Sequence, residues 1–215
     1  MQFTPAPDLA TIVRPVVIWL AGATVIERDA RMNVPIAATE AAIRGLGAES
    51  GLSLTITAVR AMYKRVGIDP TKTRPSSEAL LRRVRKGDLF PRINSMVDVC
   101  NWCSLEFQLP YGLYDAAKID GDVELRIGRE GESYPGIRKD DVHVGGRICL
   151  ADARGPFGNP TSDSARTMVT TATTEGMLVV FAPLDVDVAR LHAVLDATSA
   201  RMSEFTGGRE VDRWT

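Results

Sequence analysis

The stretch 91–127, PRINSMVDVCNWCSLEFQLPYGLYDAAKIDGDVELRI, most constrains what this chain can fold into. It predicts an amphipathic helix, a Pro-Gly turn, an aspartate just past the turn and then a strand. The helix begins near Asn94 or Ser95, whose side-chain oxygens suit an N-cap. Met96, Val99, Cys100, Cys103 and Phe107 recur at helical spacing and form its core face. Asn94, Asp98 and Asn101 recur at i, i+4 and i+7 as a separate polar stripe. Such a stripe is ordinarily a solvated face. Asn and Asp, however, compete for backbone hydrogen bonds and are poor helix formers, which suits them to fixing backbone or holding a polar ligand.

Around this centre the pattern is mixed. Residues 16–26 are a β-branched run that reads as a buried strand; it is too short to span a bilayer. Residues 35–46 read as a helix with Pro35 at its start, Ile36, Ile43 and Leu46 as its apolar residues and Gly47 as its stop. Residues 52–66 carry Leu54, Val59, Met62 and Val66 at helical spacing. A third helix follows Arg74, with Leu80, Leu81 and Val84 inside. Residues 122–128, 147–151 and 177–182 are strand candidates. Residues 130–132 and 134–136 read as turns. Residues 185–205 make a long helix lined by Val188, Leu191, Leu195, Met202 and Phe205, and 209–215 read as loosely held. Helices first, strands second and one closing helix suggest α+β. The length suits one domain over 1–215: a mostly helical part to about 90, a core over about 91–182 and the closing helix over about 185–206.

The chain has a formal net charge of −1, so it lacks the global basic excess of a non-specific nucleic-acid binder, and no DNA partner is expected. A local basic stretch exists: Arg82, Arg83, Arg85 and Lys86, preceded by Lys64, Arg65, Lys72 and Arg74. It reads either as a solvated helix face or as a landing strip for an RNA backbone. No secretory pattern or membrane span is apparent, and three cysteines suggest no disulfide framework, so a cytoplasmic protein is expected. Cys100 and Cys103, one turn apart on the apolar face, read as packing; Cys149, His143 and His192 do not complete a zinc set, and neither metal nor cofactor is expected. The two histidines give no support to a catalytic triad. Within 155–171, Asn159, Thr161, Ser162, Ser164 and Thr167 offer small donors and acceptors, and Asp163 and Arg166 add one charge of each sign. The segment reads either as a surface loop or as the wall of a site.

The central segment resembles the one that opens the editing domain, of B3/B4 type, in the phenylalanyl-tRNA synthetase beta subunit. The matching residues are Asn94, Val97, Asp98, Val99, Asn101, Leu105, Glu106, Pro110 and Asp115, continued by Lys118 and Gly121. Weaker similarity runs through Gly131-Glu132 and Ala151-Asp152 to about Phe181. The resemblance implies a layered sheet-and-helix domain with a pocket between the layers. It further implies a free-standing, tRNA-linked hydrolase of mischarged aminoacyl-tRNA, acting between the central turn and the 155–171 loop. Such a deacylase needs a positioned water and a stabilised oxyanion. Tyrosine and other near-cognate acids on tRNA for phenylalanine are the natural substrates to test.

On that implication Ser162, Ser164 and Thr167 touch the aminoacyl group or the water. Asn94, Asp98, Asn101, Pro110, Gly112, Asp115, Asn159, Asp163 and Arg166 shape the substrate site, with Asp98 and Asn101 holding the turn that carries Gly112. Thr167→Val should then reduce activity and Asp115→Ala should reduce stability. Two departures stand out. Gly112 occupies the position where the synthetases usually carry a histidine. Gly158-Asn159-Pro160 replaces a Gly-Gly followed by Glu, which leaves Asp163 as the nearby acid. They motivate the alternative of a non-catalytic module that binds tRNA or a free amino acid; a small-molecule enzyme with a refitted pocket is a third reading.

Overall fold

The computed structural model describes residues 1–46, 51–138 and 140–215. Its elements are β1 (Phe3–Pro5), β2 (Val13–Ala21), α1 (Asn33–Gly45), α2 (Gly51–Arg65), α3 (Ser76–Arg85), α4 (Ser95–Phe107), β3 (Tyr111–Asp115) and β4 (Val123–Ile127). There follow β5 (Ser133–Pro135), β6 (Asp141–His143), β7 (Ile148–Asp152), β8 (Gly155–Asn159), β9 (Ser162–Asp163), β10 (Glu175–Pro183), α5 (Val188–Thr206) and β11 (Arg209–Trp214). The predicted stop at Gly47 lies outside the described residues.

The class is α+β. One antiparallel sheet has the order β11-β2-β10-β3, and a second has the order β1-β4-β7-β8-β9, in which β1 pairs parallel with β4. A short β5–β6 hairpin stands apart. The first sheet is the middle layer. On one face, a Cβ at Gly176 would lie 3.2 Å from Met96 of α4, and Tyr111 Oη meets Thr198 Oγ1 of α5 at 3.0 Å. On the other face, Tyr114 packs edge-on to Phe157 of β8, their ring centroids 5.1 Å apart. β10, buried along nearly its whole length, is the spine of this layer. Its valines and Phe181 face two apolar surfaces at once, which is why the segment reads as a continuous apolar run.

Several local expectations are corrected. The 16–26 strand runs from Val13 to Ala21 and is central in its sheet, so the chain does not simply place helices before strands. Residues 111–115 are a fully buried edge strand rather than a turn. The reversal comes earlier, at Gln108, whose φ of 56° places it in the left-handed region and ends α4. The 155–171 loop contains β8 and β9, and Tyr134 and Pro135 lie in β5. Residues 209–214 are paired along β2 across a bulge, and Trp214 stacks edge-on against Phe3 at 5.0 Å. That strand shows no alternating apolar pattern because much of its side-chain surface faces water. Leu54 and Val188, expected inward, are exposed at 77% and 47%. Each sits in the first turn of its helix, beyond the edge of the core. Among the described residues no helix is long and apolar enough to cross a membrane.

Candidate functional site

The start of α4 is fixed by its polar stripe. Asn94 Oδ1 accepts the Val97 N–H at 3.0 Å, a true N-cap. The Asp98 carboxylate is fully enclosed. It accepts the Ile93 N–H at 2.7 Å and the Arg92 Nε–H at 2.6 Å, and so ties the approach to the helix onto its first turn. Ser95 adds a second tie: its N–H donates to Ile26 O at 2.8 Å, and its Oγ accepts the Ile26 N–H at 3.1 Å. Asn94 and Asp98 therefore act on the backbone, whereas Asn101, one turn on, is half-buried and faces a cavity.

That cavity, about 340 Å³, lies between α4, β3 and the segment 161–169. Its apolar wall is made by Ile93, Val97 and Cys100 of the α4 region, Tyr111 and Leu113 of β3, and Met168 and Val169. Its polar groups are Ser76, Asn101, Thr161, Asp163 and Arg138. The two segments singled out in the sequence thus face each other across one space. Of the predicted site residues, Asn101 and Asp163 line it, together with Thr161, a candidate donor of the 155–171 segment.

The others are placed around it. Asn159 Oδ1 accepts the N–H groups of Thr161 (2.8 Å) and Ser162 (2.9 Å), which turns β8 into β9 and sets the height of Asp163. Ser162 is half-buried in β9, and its carbonyl accepts the Tyr134 hydroxyl at 2.6 Å. Ser164 is buried and its Oγ accepts the Arg166 N–H at 3.0 Å. Thr167 is fully enclosed, with an Oγ1 that has no hydrogen-bond partner among the described residues. The Arg166 guanidinium is committed to Asp152 (2.8 and 2.9 Å) and to Lys118 O, lying over the Phe157 ring.

Asp115 braces the end of β3. Its carboxylate accepts the Thr173 hydroxyl at 2.8 Å and pairs with Lys118 at 3.1 Å, and its N–H donates to Thr167 O at 2.9 Å. Pro110 O accepts the Phe181 N–H at 3.0 Å, locking the entry to β3. The turn that Asp98 and Asn101 were expected to hold does not exist; Asp98 holds residues 92–93 instead.

Gly112 and Gly158 have one role between them. A Cβ at either would lie 2.3 Å from Tyr114 Oη, so the phenol occupies the space that a side chain at 112 would need. Burial pushes the Tyr114 hydroxyl well up from its ordinary range, and the nearby Asp163 carboxylate adds to the shift. The Cys100 thiol and the Tyr134 phenol are raised by the same two causes in the same order. All three stay protonated at neutral pH around the carboxylate. Cys100, read as packing, is buried as expected but also forms part of the cavity wall. Ser76, Ile137 and Arg138 had no signal in the sequence, since they come from a helix start and a hairpin that only the fold brings to α4. His143 and His192 are both exposed, away from this cavity. Among the described residues no group of His, Cys, Asp or Glu is arranged to hold a metal ion.

The family profile described as B3/4 domain matches residues 58–213. The phenylalanine–tRNA ligase beta subunit of Bartonella henselae is 36% identical over 64 residues, which is 29% of this chain and 8% of that protein. The corresponding subunit of Brucella abortus is 30% identical over 86 residues, covering 40% of this chain and 11% of that protein. The matched segments thus span about a tenth of these curated relatives. Among solved structures, an N-terminal fragment of the phenylalanyl-tRNA synthetase beta subunit from Pyrococcus horikoshii aligns with 97% of this chain and 49% of its own. The TM-score is 0.49 and the identity 13%.

Proposed function

Because this chain belongs to the B3/4 domain family, we propose that it is a tRNA-linked protein that hydrolyses mischarged aminoacyl-tRNA in trans, with the aminoacyl group held in the α4–β3 cavity. The observation that carries this reading is the cavity itself. A space of about 340 Å³ with an apolar wall suits an amino-acid side chain, and Asn101 and Asp163 add a donor and a carboxylate to it. Asp163 takes the role of general base. It removes a proton from a water that adds to the ester carbonyl, and the Asn101 amide donates to the oxyanion that forms. Collapse of the intermediate breaks the bond to the ribose oxygen, which takes up a proton. The products are a free amino acid and an uncharged tRNA. The hydroxyls of Ser164 and Thr167 stand outside this scheme because both are sealed in the protein.

The test is deacylation of a panel of mischarged tRNAs, including tyrosine and other near-cognate acids on tRNA for phenylalanine. Release above the spontaneous rate is expected, and Asp163→Asn should slow it by about 100-fold, the usual worth of a positioned base. No release at high enzyme excess across the panel would end the hydrolase reading. A second reading, a module that binds tRNA or an amino acid without turnover, draws support from the enclosure of Ser164 and Thr167 and from the glycine at 112. Retained binding without release would favour it.

A further inference from the structure

A second and larger recess, of about 560 Å³, lies beside the cavity and shares Ser76, Asn101 and Thr161 with it. Its outer wall is the solvent side of α3. Ser77, Leu81 and Val84 are the buried positions of that helix, so Arg82, Arg83 and Lys86 turn outward into the recess, joined by Arg74 from the preceding loop. Asp88 is the acid that faces these four cations in the lining. Of the four, Arg74 alone has an ion-pair partner among the described residues: Glu78 at 3.5 Å, which Arg60 holds more closely at 2.8 Å. Arg83 donates its Nε–H to Leu89 O at 2.6 Å, leaving the rest of its guanidinium facing out. On a chain with a net charge of −1, this is a concentrated positive surface with one end at the mouth of a cavity.

Cations at the end of a helix are favoured by its dipole, which explains one or two of them in the last turn of α3. It does not explain their convergence, together with Arg74, on a recess whose far wall is Asn101. The floor beneath them is aliphatic, Ala79, Leu80 and Pro91. A groove of this kind, basic but without aromatic platforms, tracks a polyanionic backbone and is tolerant of sequence.

We propose that the α3 groove is the phosphate track for the single-stranded 3′ end of an RNA, which passes over Arg82, Arg83 and Lys86 and delivers its terminal group to the cavity at Asn101. The proposal rests on the reading of the cavity as the aminoacyl site. The test compares two RNA hairpins labelled with fluorescein at the 5′ end, one with a short single-stranded 3′ overhang and one blunt. Binding is followed by anisotropy across a salt series. The wild-type chain should prefer the tailed hairpin, whatever the sequence of its overhang. The double variant Arg82→Glu/Lys86→Glu should lose about tenfold or more in affinity for it. Its log K against log salt should become shallower by about 1.4, two single-strand phosphate contacts. Both residues are exposed, so the variant should fold normally, which circular dichroism checks. Arg154→Glu, exposed at the β7–β8 turn, should change nothing.

The track is overturned if the double variant binds the tailed hairpin like wild type, if it loses tailed and blunt hairpins equally, or if wild type binds neither. Deacylation in the same preparations separates this from the hydrolase reading. Equal kcat/KM in wild type and double variant would refute the track and leave the hydrolase standing. Tail-dependent binding that the double variant loses, with no release by either protein, would uphold the track and refute the hydrolase.

Discussion

Gly112→Ala isolates the packing of Tyr114 against the neighbouring strand. A Cβ added at 112 would lie 2.3 Å from Tyr114 Oη, 2.8 Å from Cζ and 2.9 Å from Cε2. Carbon does not approach other heavy atoms so closely, so something must move. The phenol has nowhere to go: Gly158 flanks it from β8, again at 2.3 Å from a hypothetical Cβ, and Phe157 packs against the ring. Overpacking a closed core costs about 1–3 kcal/mol, and closure on both sides places this case near the top, about 3 kcal/mol. For a chain of this size that is a fall in melting midpoint of roughly 6–12 °C. Thermal denaturation followed by circular dichroism measures it directly.

A double-mutant cycle supplies the proof of cause. Tyr114→Phe removes the nearest atom but leaves the two ring carbons, so it relieves Gly112→Ala in part. Tyr114→Leu empties the space, and the coupling between it and Gly112→Ala should exceed about 1 kcal/mol. A Gly112→Ala midpoint within about 2 °C of wild type, or strict additivity with Tyr114→Leu, would refute the argument. If it stands, an imidazole cannot be placed at 112 by a single substitution, because Tyr114 already fills the space it would need.

Two further outcomes follow from individual buried groups. Thr167→Val replaces an enclosed, unpartnered hydroxyl by a methyl of the same shape, so stability should be unchanged or slightly higher and any deacylation rate unchanged; a rate loss beyond about tenfold would return that hydroxyl to the chemistry. The Glu132 carboxyl is pulled down to about 2, chiefly by its paired hydrogen bonds with the Arg126 guanidinium. A carboxyl depressed on folding contributes stability that is fully present above its unfolded value of 4.5 and disappears as pH falls towards 2. Urea midpoints of the wild type should therefore decline through that window more steeply than those of Glu132→Gln; parallel curves would show that the pair carries no linkage.

What the sequence disclosed depended on whether a signal was local. Asn94 as a cap, the apolar face of α4 and the body of α5 follow from spacing and side-chain chemistry, and each is where those rules put it. Residues 111–115 form a strand, yet their sequence reads as a turn because Pro110 and Gly112 are turn-formers in isolation. Gly112 is in fact required by Tyr114 and Gly158, a constraint from a neighbouring strand that no window around 112 contains. β11 leaves no local signal for a similar reason. Its backbone is satisfied by β2, while its charged side chains make pairs such as Arg213 with Glu210 (2.6 Å) and Asp196 (2.8 Å), and no hydrophobic period records that pairing. The site was half legible. Asn101 and Asp163 come from segments whose polarity was conspicuous, whereas Ser76, Ile137 and Arg138 reach the cavity only through tertiary placement.

The same placement sets the position of Asp163. Asp163 is opposite Gly158 in the β8–β9 pair, and Gly158 is one of the two glycines that admit the Tyr114 ring. The carboxylate is thereby carried up to Tyr114, Tyr134 and Cys100, whose hydroxyls and thiol its charge helps to keep protonated. A side chain larger than hydrogen at 158 would push against the phenol and shift the β9 edge that carries Asp163. The two departures that the resemblance implies, at 112 and at 158–160, then meet at one ring. Tyr114 fills the space at 112, Gly158 makes room for it, and the Asn159 turn brings Asp163 to the cavity a few residues later. Gly158→Ala should accordingly disturb the cavity as well as the core, so that on the proposed hydrolysis the position of Asp163 matters more than the identity of residue 112.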